Sequence, residues 1–321
     1  MAPTFIDLFS GAGLFSAGMK RAGFKPALAI ELDLNAVRSY RRNVSDCIVH
    51  GSVAGKYKVP HADVVIAGPP CQGFSTLGRC DPSDVRNELS LAILPWAKAA
   101  KPQVVVIENV PPFVFSSHWK KLASGLRRLD FDVTVWTLEA SDFDTPQRRK
   151  RSFTIASRTP ISPPKPYRSG ITAGEVLLNS DRPFRRGDPM HIWPVPTEIA
   201  AKRFKLIPPR GDKRDIAKAA PHLCPPSWSS VGCQATDAWG RLDPDEPANT
   251  IRCEFQNPSK GRYLHPYKDR VLSLREGARL QGVPDDWEFD GKPYPIARQI
   301  GNGVPISLAA AVGRSIFRSL T

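Results

Sequence analysis

Residues 64–75 read Val64-Val65-Ile66-Ala67-Gly68-Pro69-Pro70-Cys71-Gln72-Gly73-Phe74-Ser75. A short β-rich run, 64–67, breaks at once into a loop that two prolines stiffen, and Gly73 permits close approach to a ligand. In open α/β sheets ligands gather at the carboxyl ends of the strands. The Cys71 thiol is therefore expected at the working edge of a sheet. A cysteine in general is most often a small buried apolar residue; the rigid loop directly after a strand argues for a presented nucleophile.

The stretches on either side repeat the pattern. Candidate strands are Thr4 to Leu8, Ala27 to Glu31, Val104 to Glu108, Asp132 to Leu138 and Ser152 to Ala156, separated by helical stretches, which predicts a parallel sheet with crossover helices. Near Arg158 the character changes, because Pro160, Pro163, Pro164 and Pro166 fit neither a helix interior nor a central strand. A less regular region runs to about Asp269. Beyond it, Leu272 to Leu280 reads as helical, and Pro305 to Leu320 is amphipathic at helical spacing and expected to pack back on the first part. The division expected is a discontinuous unit of 1–157 and 270–321 around a smaller unit of 158–269.

The chain has 321 residues with 45 Lys+Arg against 31 Asp+Glu, a net charge of +14 and a pI near 9.7. Such a field attracts polyanions, so nucleic acid leads the partner classes. Between Gln147 and Arg214 there are 16 Lys or Arg against 5 Asp or Glu, which favours a binding surface over a uniformly basic shell. The six cysteines form no Cys-x-x-Cys pair, so no structural zinc is expected and the thiols are expected free. Met1 leads straight into Phe5-Ile6-Asp7-Leu8-Phe9, unlike a secretory signal, and no stretch approaches the roughly 20 apolar residues of a membrane span. A monomer in the cytoplasm, associated with the nucleoid, is the expectation.

Three more segments carry chemistry. Asp7-Leu8-Phe9-Ser10-Gly11-Ala12-Gly13-Leu14 follows the first strand, and its glycines with the next helix N-terminus suit a close-lying ligand. Glu31 ends the second strand about 20 residues later, where a carboxylate can accept from both hydroxyls of a ribose. Together they suggest a nucleoside cofactor without specifying which. Glu108-Asn109-Val110 puts a carboxyl at the edge that carries Cys71, where burial can keep it protonated as a donor or general acid. In Gln147-Arg148-Arg149-Lys150-Arg151, alternation sets Arg149 and Arg151 on one face.

The ordered set DLFSGAG, Glu31, GPPCQGFS, ENV, QRRKR, Asp245 to Ile251 (DEPANTI), Arg275 to Trp287 (REGARLQGVPDDW) and Gln299 to Val304 (QIGNGV) resembles the motif series of DNA cytosine-5 methyltransferases. It spans nearly the whole chain, leaving about Arg158 to Gly240 without a match. The resemblance implies a Rossmann-like α/β methyltransferase fold with a smaller, irregular target-recognition domain. It implies transfer of a methyl group from S-adenosylmethionine to carbon 5 of cytosine in duplex DNA, leaving S-adenosylhomocysteine. Cys71 is then the nucleophile, Glu108 holds the base edge, Arg151 with Arg149 holds its oxygen 2, and Gln147 orients their loop. The implied cofactor set is Asp7, Phe9, Gly11, Gly13, Glu31, Leu32, Ser52, Pro70, Asn302 and Val304.

Implied DNA contacts are Gln72, Ser75, Arg210, Lys213, Arg214, Gln234, Thr250 and Arg252; no metal is implied, and a cognate restriction endonuclease would share the system without touching the chain. Three positions depart from the family pattern: Leu14 where glycine is usual, Ser52 where an acidic contact to adenine is usual, and Gly303 where serine is usual. Two other readings are weighed against this one: methylation of tRNA on the same scaffold, and a catalytically silent DNA-binding protein.

Overall fold

The structure is a computed structural model, and it describes residues 2–70, 85–167, 170–179, 183–230 and 237–321. Seven strands form one sheet: β1 (Thr4–Leu8), β2 (Lys25–Glu31), β3 (Ile48–His50), β4 (Val64–Ala67), β5 (Val104–Asn109), β6 (Asp132–Glu139) and β7 (Lys150–Ser157), in the order β3-β2-β1-β4-β5-β7-β6. Phe5, Ile6 and Leu8 of β1, all of β4 and most of β5 are buried, as continuous apolar runs must be when helices cover both faces. The helices of this half are α1 (Leu14–Arg21), α2 (Leu34–Asn43), α3 (Ile93–Ala100) and α4 (Ser117–Arg127).

Strands β1 to β5 run parallel, as the alternation predicts. The last two do not: β7 is antiparallel to both β5 and β6. Only residues 140–149 join β6 to β7, too few for the helical crossover that a parallel pair needs, so the chain turns back as a hairpin. Strand β3 escaped the sequence reading because it is three residues long, with Val49 and His50 exposed, and carries no legible alternation.

The remaining helices are α5 (Ala173–Leu177), α6 (Glu198–Lys205), α7 (Lys213–Ala219), α8 (Ser227–Ser230), α9 (Leu274–Leu280), α10 (Pro293–Asn302) and α11 (Ile306–Leu320). Leu308, Val312 and Ile316 of α11 join one cluster with Phe5, Phe15 and Met19, so the end of the chain does return to the sheet. Among the described residues, no helix is long and apolar enough to cross a membrane.

Described residues between 158 and 269 add no strand to the sheet. Their backbone oxygens need other partners, and Arg241, 4% exposed, supplies several. Its guanidinium donates to the carbonyls of Phe204, Ile207, His265 and Lys268 at 2.6 to 3.0 Å and to the Asp269 carboxylate. Around it Phe204, Ile207, Ile216, Trp239, Leu264 and Val271 make a separate apolar cluster. Next to this, Arg270 grips Glu276 through two 2.7 Å hydrogen bonds, and Ser273 caps α9 in a reciprocal box with Glu276.

His265 lies buried in the same network. Its Nδ1 accepts from the amides of Tyr267 and Lys268, and its Nε2 sits 3.9 Å from Glu276. Burial pushes the imidazole down to about 4, against the pull of Glu276 in the other direction. The unfolded ring takes a proton below 6.5 and the folded ring does not, so stability is lost as pH falls from 6.5 towards about 4. The melting-temperature advantage of the wild type over His265→Gln is expected to shrink across that window in a thermal titration; a constant or widening gap refutes the assignment.

Candidate active site

At the carboxyl end of β1 the backbone turns through three left-handed residues, Phe9 (φ 60°), Gly11 (φ 54°) and Gly13 (φ 91°). At Gly13 a β-carbon would also stand 2.6 Å from Val44 and 2.8 Å from Tyr40, so the turn excludes a side chain on both counts. Across from it, Glu31 Oε2 accepts from the Gly11 amide at 2.8 Å, and Oε1 accepts from the amides of Leu32 and Asp33, also at 2.8 Å. Three backbone donors thus fix the carboxylate before any ligand is present. Leu32 is 68% exposed beside it, and Phe9 is half-buried. The Ser52 hydroxyl accepts from the Ala54 amide at 3.2 Å and stands exposed at the same sheet edge, just beyond β3.

Asp7 lies beneath this turn, 1% exposed. It accepts from the Ser16 hydroxyl at 2.6 Å, and Ser16 in turn shares a 2.9 Å hydrogen bond with Tyr40. Burial raises the Asp7 carboxyl to about 8, with the Ser16 hydrogen bond opposing and the Glu31 charge reinforcing the shift. Asp7 therefore acts from below the turn. Ser16 and Tyr40 had no motif to announce them.

The α10–α11 junction closes on the same turn. A β-carbon at Gly303 would lie 2.3 Å from Leu14 Cδ1. Two of the departures noted in the sequence are thus a single packing event: the leucine at 14 fills the space that a side chain at 303 would need. Asn302 accepts from the Cys253 thiol at 2.9 Å. Val304 is 5% exposed with its side chain in the core.

On the next strands, Arg151 Nε of β7 lies 2.9 Å from Glu108 Oε1 of β5, both side chains largely buried. Antiparallel pairing of β5 with β7 puts Glu108 opposite Phe153 and brings Arg151 within reach. Asn109 donates to the Pro69 carbonyl at 3.3 Å, and Ser152 donates to the carbonyls of Asn109 and Val110, tying the start of the Pro69-Pro70 loop to the pair. Asn109 was legible only as the neighbour of Glu108.

Gln147 and Arg149 point elsewhere. Arg149, 2% exposed, donates to the carbonyls of Ile251 (3.0 Å) and Gly301 (2.9 Å). Gln147, fully buried, accepts from the Ile251 amide and donates to Leu280 O and Gln281, and Gln281 donates on to Gly303 O. Thr250 donates to Arg148 O at 2.7 Å. So Arg151 alone of the two arginines meets Glu108 among the described contacts.

A family model for C-5 cytosine-specific DNA methylase matches residues 3–175 and 225–318. The chain belongs to the C-5 cytosine-specific DNA methylase family. It is 30% identical over 333 residues to Type II methyltransferase M.Eco47II of Escherichia coli, covering 99% of this chain and 79% of that protein. It is 31% identical over 339 residues to Type II methyltransferase M.PspPI of Psychrobacter sp. strain TA137, with the same coverage. In fold it resembles Entamoeba histolytica methyltransferase EhMeth (TM-score 0.69, 16% identity, 100% of this chain and 99% of that one) and S. pombe Dnmt2 methyltransferase (TM-score 0.64, 16% identity, 99% of each). The protein is thus a transferase of the DNA cytosine-5 methylating class, with the mixed α/β methyltransferase fold.

In this methylase the stretch between the two matched segments, 176–224, contains three of the basic residues singled out for DNA. Arg210 pairs with Asp243 at 3.0 Å and with Asp245; Arg214 clasps Asp212 at 2.7 and 2.9 Å; Lys213 is 7% exposed. Arg252 donates to Lys260 O at 3.2 Å. A cleft of about 300 Å³ runs between Arg148, Arg210, Glu246, Asn249 and Arg262. Cys71, Gln72, Ser75 and Gln234 lie outside the described residues; Pro70 is the last one before the gap.

Two tests follow from the turn after β1. Gly303→Ser is expected to destabilise by ~1–3 kcal/mol through overpacking. Leu14→Ala at the same time should recover part of that loss, so that chemical denaturation of the double variant shows less than the summed cost; strict additivity would mean the two positions do not compete for space. For Asp7, the stability tied to its protonated form is fully present below 3.8 and is lost as pH rises through about 8. Relative to Asp7→Asn, the wild type should lose melting temperature over that range, and parallel curves would show that the carboxyl does not titrate there.

Proposed function

We propose that the protein transfers a methyl group from S-adenosylmethionine to carbon 5 of a cytosine within a specific duplex DNA sequence, through a transient bond between Cys71 and carbon 6 of a base turned out of the helix. The observation that carries this reading is the Glu108–Arg151 pair, 2.9 Å apart beside the Pro69-Pro70 loop, on the sheet edge that also bears the Glu31 turn. A carboxyl and a guanidinium side by side match the polar edge of cytosine, where oxygen 2, nitrogen 3 and the amine are adjacent.

The residues present fit the cofactor. The prepositioned Glu31 carboxylate suits the two ribose hydroxyls, exposed Leu32 and half-buried Phe9 offer apolar surface to adenine, and the left-handed Gly11 and Gly13 leave room for the methionine portion. Asn302 and the Val304 backbone approach from the α10–α11 side. Ser52, with no carboxylate, leaves the adenine amine to weaker partners. When bound, S-adenosylmethionine supplies an electrophilic methyl group on sulfur.

Carbon 5 of cytosine is a weak nucleophile until a thiolate adds at carbon 6. Cys71 makes that addition. Arg151 donates to oxygen 2 and Glu108 engages nitrogen 3 and the amine, stabilising the charge that spreads into the ring. Carbon 5 then takes the methyl group, and loss of its proton expels Cys71 and restores the aromatic ring. Carbon 6 is unreachable within stacked DNA, and turning the base out costs a few kcal/mol. Residues 158–269, framed by the catalytic unit of 1–157 and 270–321, offset that cost by holding phosphates and reading the target. The enzyme works as a monomer without a metal.

Cys71→Ser should abolish turnover while leaving DNA affinity largely intact. A duplex with 5-fluorocytosine at the target, found by bisulfite sequencing of DNA methylated in a host, should trap a covalent complex with the wild type and none with the variant. Failure to trap, together with tight binding, would favour a silent DNA-binding protein; labelled methyl groups appearing only in tRNA would move the substrate to RNA.

A further inference from the structure

Directly after β5 the chain forms a short 3-10 turn, Pro111–Phe115, before α4. Both ends are anchored. Phe113 is 1% exposed in the core under the sheet, the Ser116 amide donates to Phe113 O, and the Ser116 hydroxyl caps α4 by accepting from Trp119. Trp119 in turn donates to Thr154 of β7. Between those anchors Phe115 is 81% exposed. A large apolar ring set in water between half-buried neighbours is costly to display without a partner.

The ring has charged company. Lys120 and Lys121 are exposed on α4, away from the face on which Leu122, Ala123 and Leu126 are buried. From Asn109 to Leu129 there is no acidic residue, while Lys120, Lys121, Arg127 and Arg128 are all basic. Among the described residues no carboxylate pairs with Lys120 or Lys121, in contrast to Arg210 and Arg214 in the irregular half. The turn starts three residues after Glu108, so the patch begins at the edge where the target base would enter.

We infer that Phe115, Lys120 and Lys121 form a second DNA-binding surface, on the catalytic side of the cleft, that holds the duplex flanking the target. This rests on the function proposed above. The lysines neutralise phosphates of the flanking strand, and the Phe115 ring packs against the sugar or base edge that the bent duplex exposes. The partner is committed by charge: an apolar tip followed by two exposed lysines with no described carboxylate partner suits a polyanion with hydrophobic sugar faces better than another basic copy of this chain.

The test compares two duplexes with the same target, one trimmed close to it and one extended by a helical turn on each side. Turnover on the trimmed duplex should be the same for wild type, Phe115→Ala and Lys120→Ala/Lys121→Ala. On the extended duplex the wild type should bind more tightly, and both variants should lose most of that gain, about tenfold for the double lysine variant at low salt. The lysine variant should also show a log affinity against log salt slope shallower by about 1.8, whereas Phe115→Ala should leave the slope unchanged. An identical gain from the flanks in all three proteins overturns the inference. So does an equal loss on both duplexes, or a wild-type dimer in sedimentation that Phe115→Ala dissociates, which would assign the patch to self-association. If the wild type methylates no DNA at all, the functional reading fails instead, independently of the flank comparison.

Discussion

Four stretches of chain that are far apart in sequence meet around the side chains of Gln147 and Arg149. The loop before β7, the segment at Ile251, the end of α9 at Leu280 and Gln281, and the α10–α11 junction at Gly301 and Gly303 are all joined by hydrogen bonds from these two residues and Gln281. Every member is buried except Gly303, which is half-buried. A buried carbonyl or amide left without a partner costs ~1–3 kcal/mol, so the four segments can hold only the arrangement in which all are satisfied. Arg151 projects from the strand that this knot starts, and the cofactor-side loop at 301–304 hangs from its other end. The Glu108–Arg151 pair and the loop at 301–304 are therefore tied to one polar knot, which links the last fifty residues to the edge of the sheet.

The turn after β1 shows the same economy in apolar form. Leu14 opens α1, and its side chain fills the volume above Gly303. A larger residue at one position is offset by a smaller one at the other. Beneath them, the Asp7–Ser16–Tyr40 chain braces the turn from inside, with a carboxyl that burial keeps largely protonated near neutrality. An ionised Asp7 would add a second negative charge within reach of Glu31, and the two would repel. Neutral Asp7 leaves Glu31 as the carboxylate that the Gly11 amide and its neighbours address.

The sheet was legible because its strands are uniform runs of β-branched residues that end in glycine, proline or a carboxylate. Thr4–Leu8 and Val64–Ala67 emerge with the bounds that the sequence suggested. The direction of β7 was not, since strand direction depends on how much chain lies between neighbours and not on the strand itself. In the site, Glu108 and Arg151 were legible as a pair from the motif order, and the structure sets them in contact. Arg149 was read by alternation as a partner of Arg151, but β7 begins at Lys150 and Arg149 belongs to the polar knot, where carbonyls from 251 and 301 await it. Long-range hydrogen bonds of that kind leave no local pattern to read.

Charge illustrates the same limit. The sequence shows where cations concentrate, between Gln147 and Arg214, but not which of them remain available. Within that stretch Arg148, Arg210 and Arg214 meet carboxylates, Arg149 and Arg203 meet carbonyls, and Lys213 is buried. Exposed ion pairs such as Arg148–Glu246 contribute little to stability and exchange readily with other anions, so they can open to a phosphate at small cost. Arg241, enclosed among four carbonyls, cannot. The partnered arginines of this fold are thus two populations: those that hold irregular backbone together, and those lightly held at the rim. Of these partnered arginines only the second kind can exchange its carboxylate for a phosphate, and its members are distinguished by the exposure of their partners, a property of the folded chain alone.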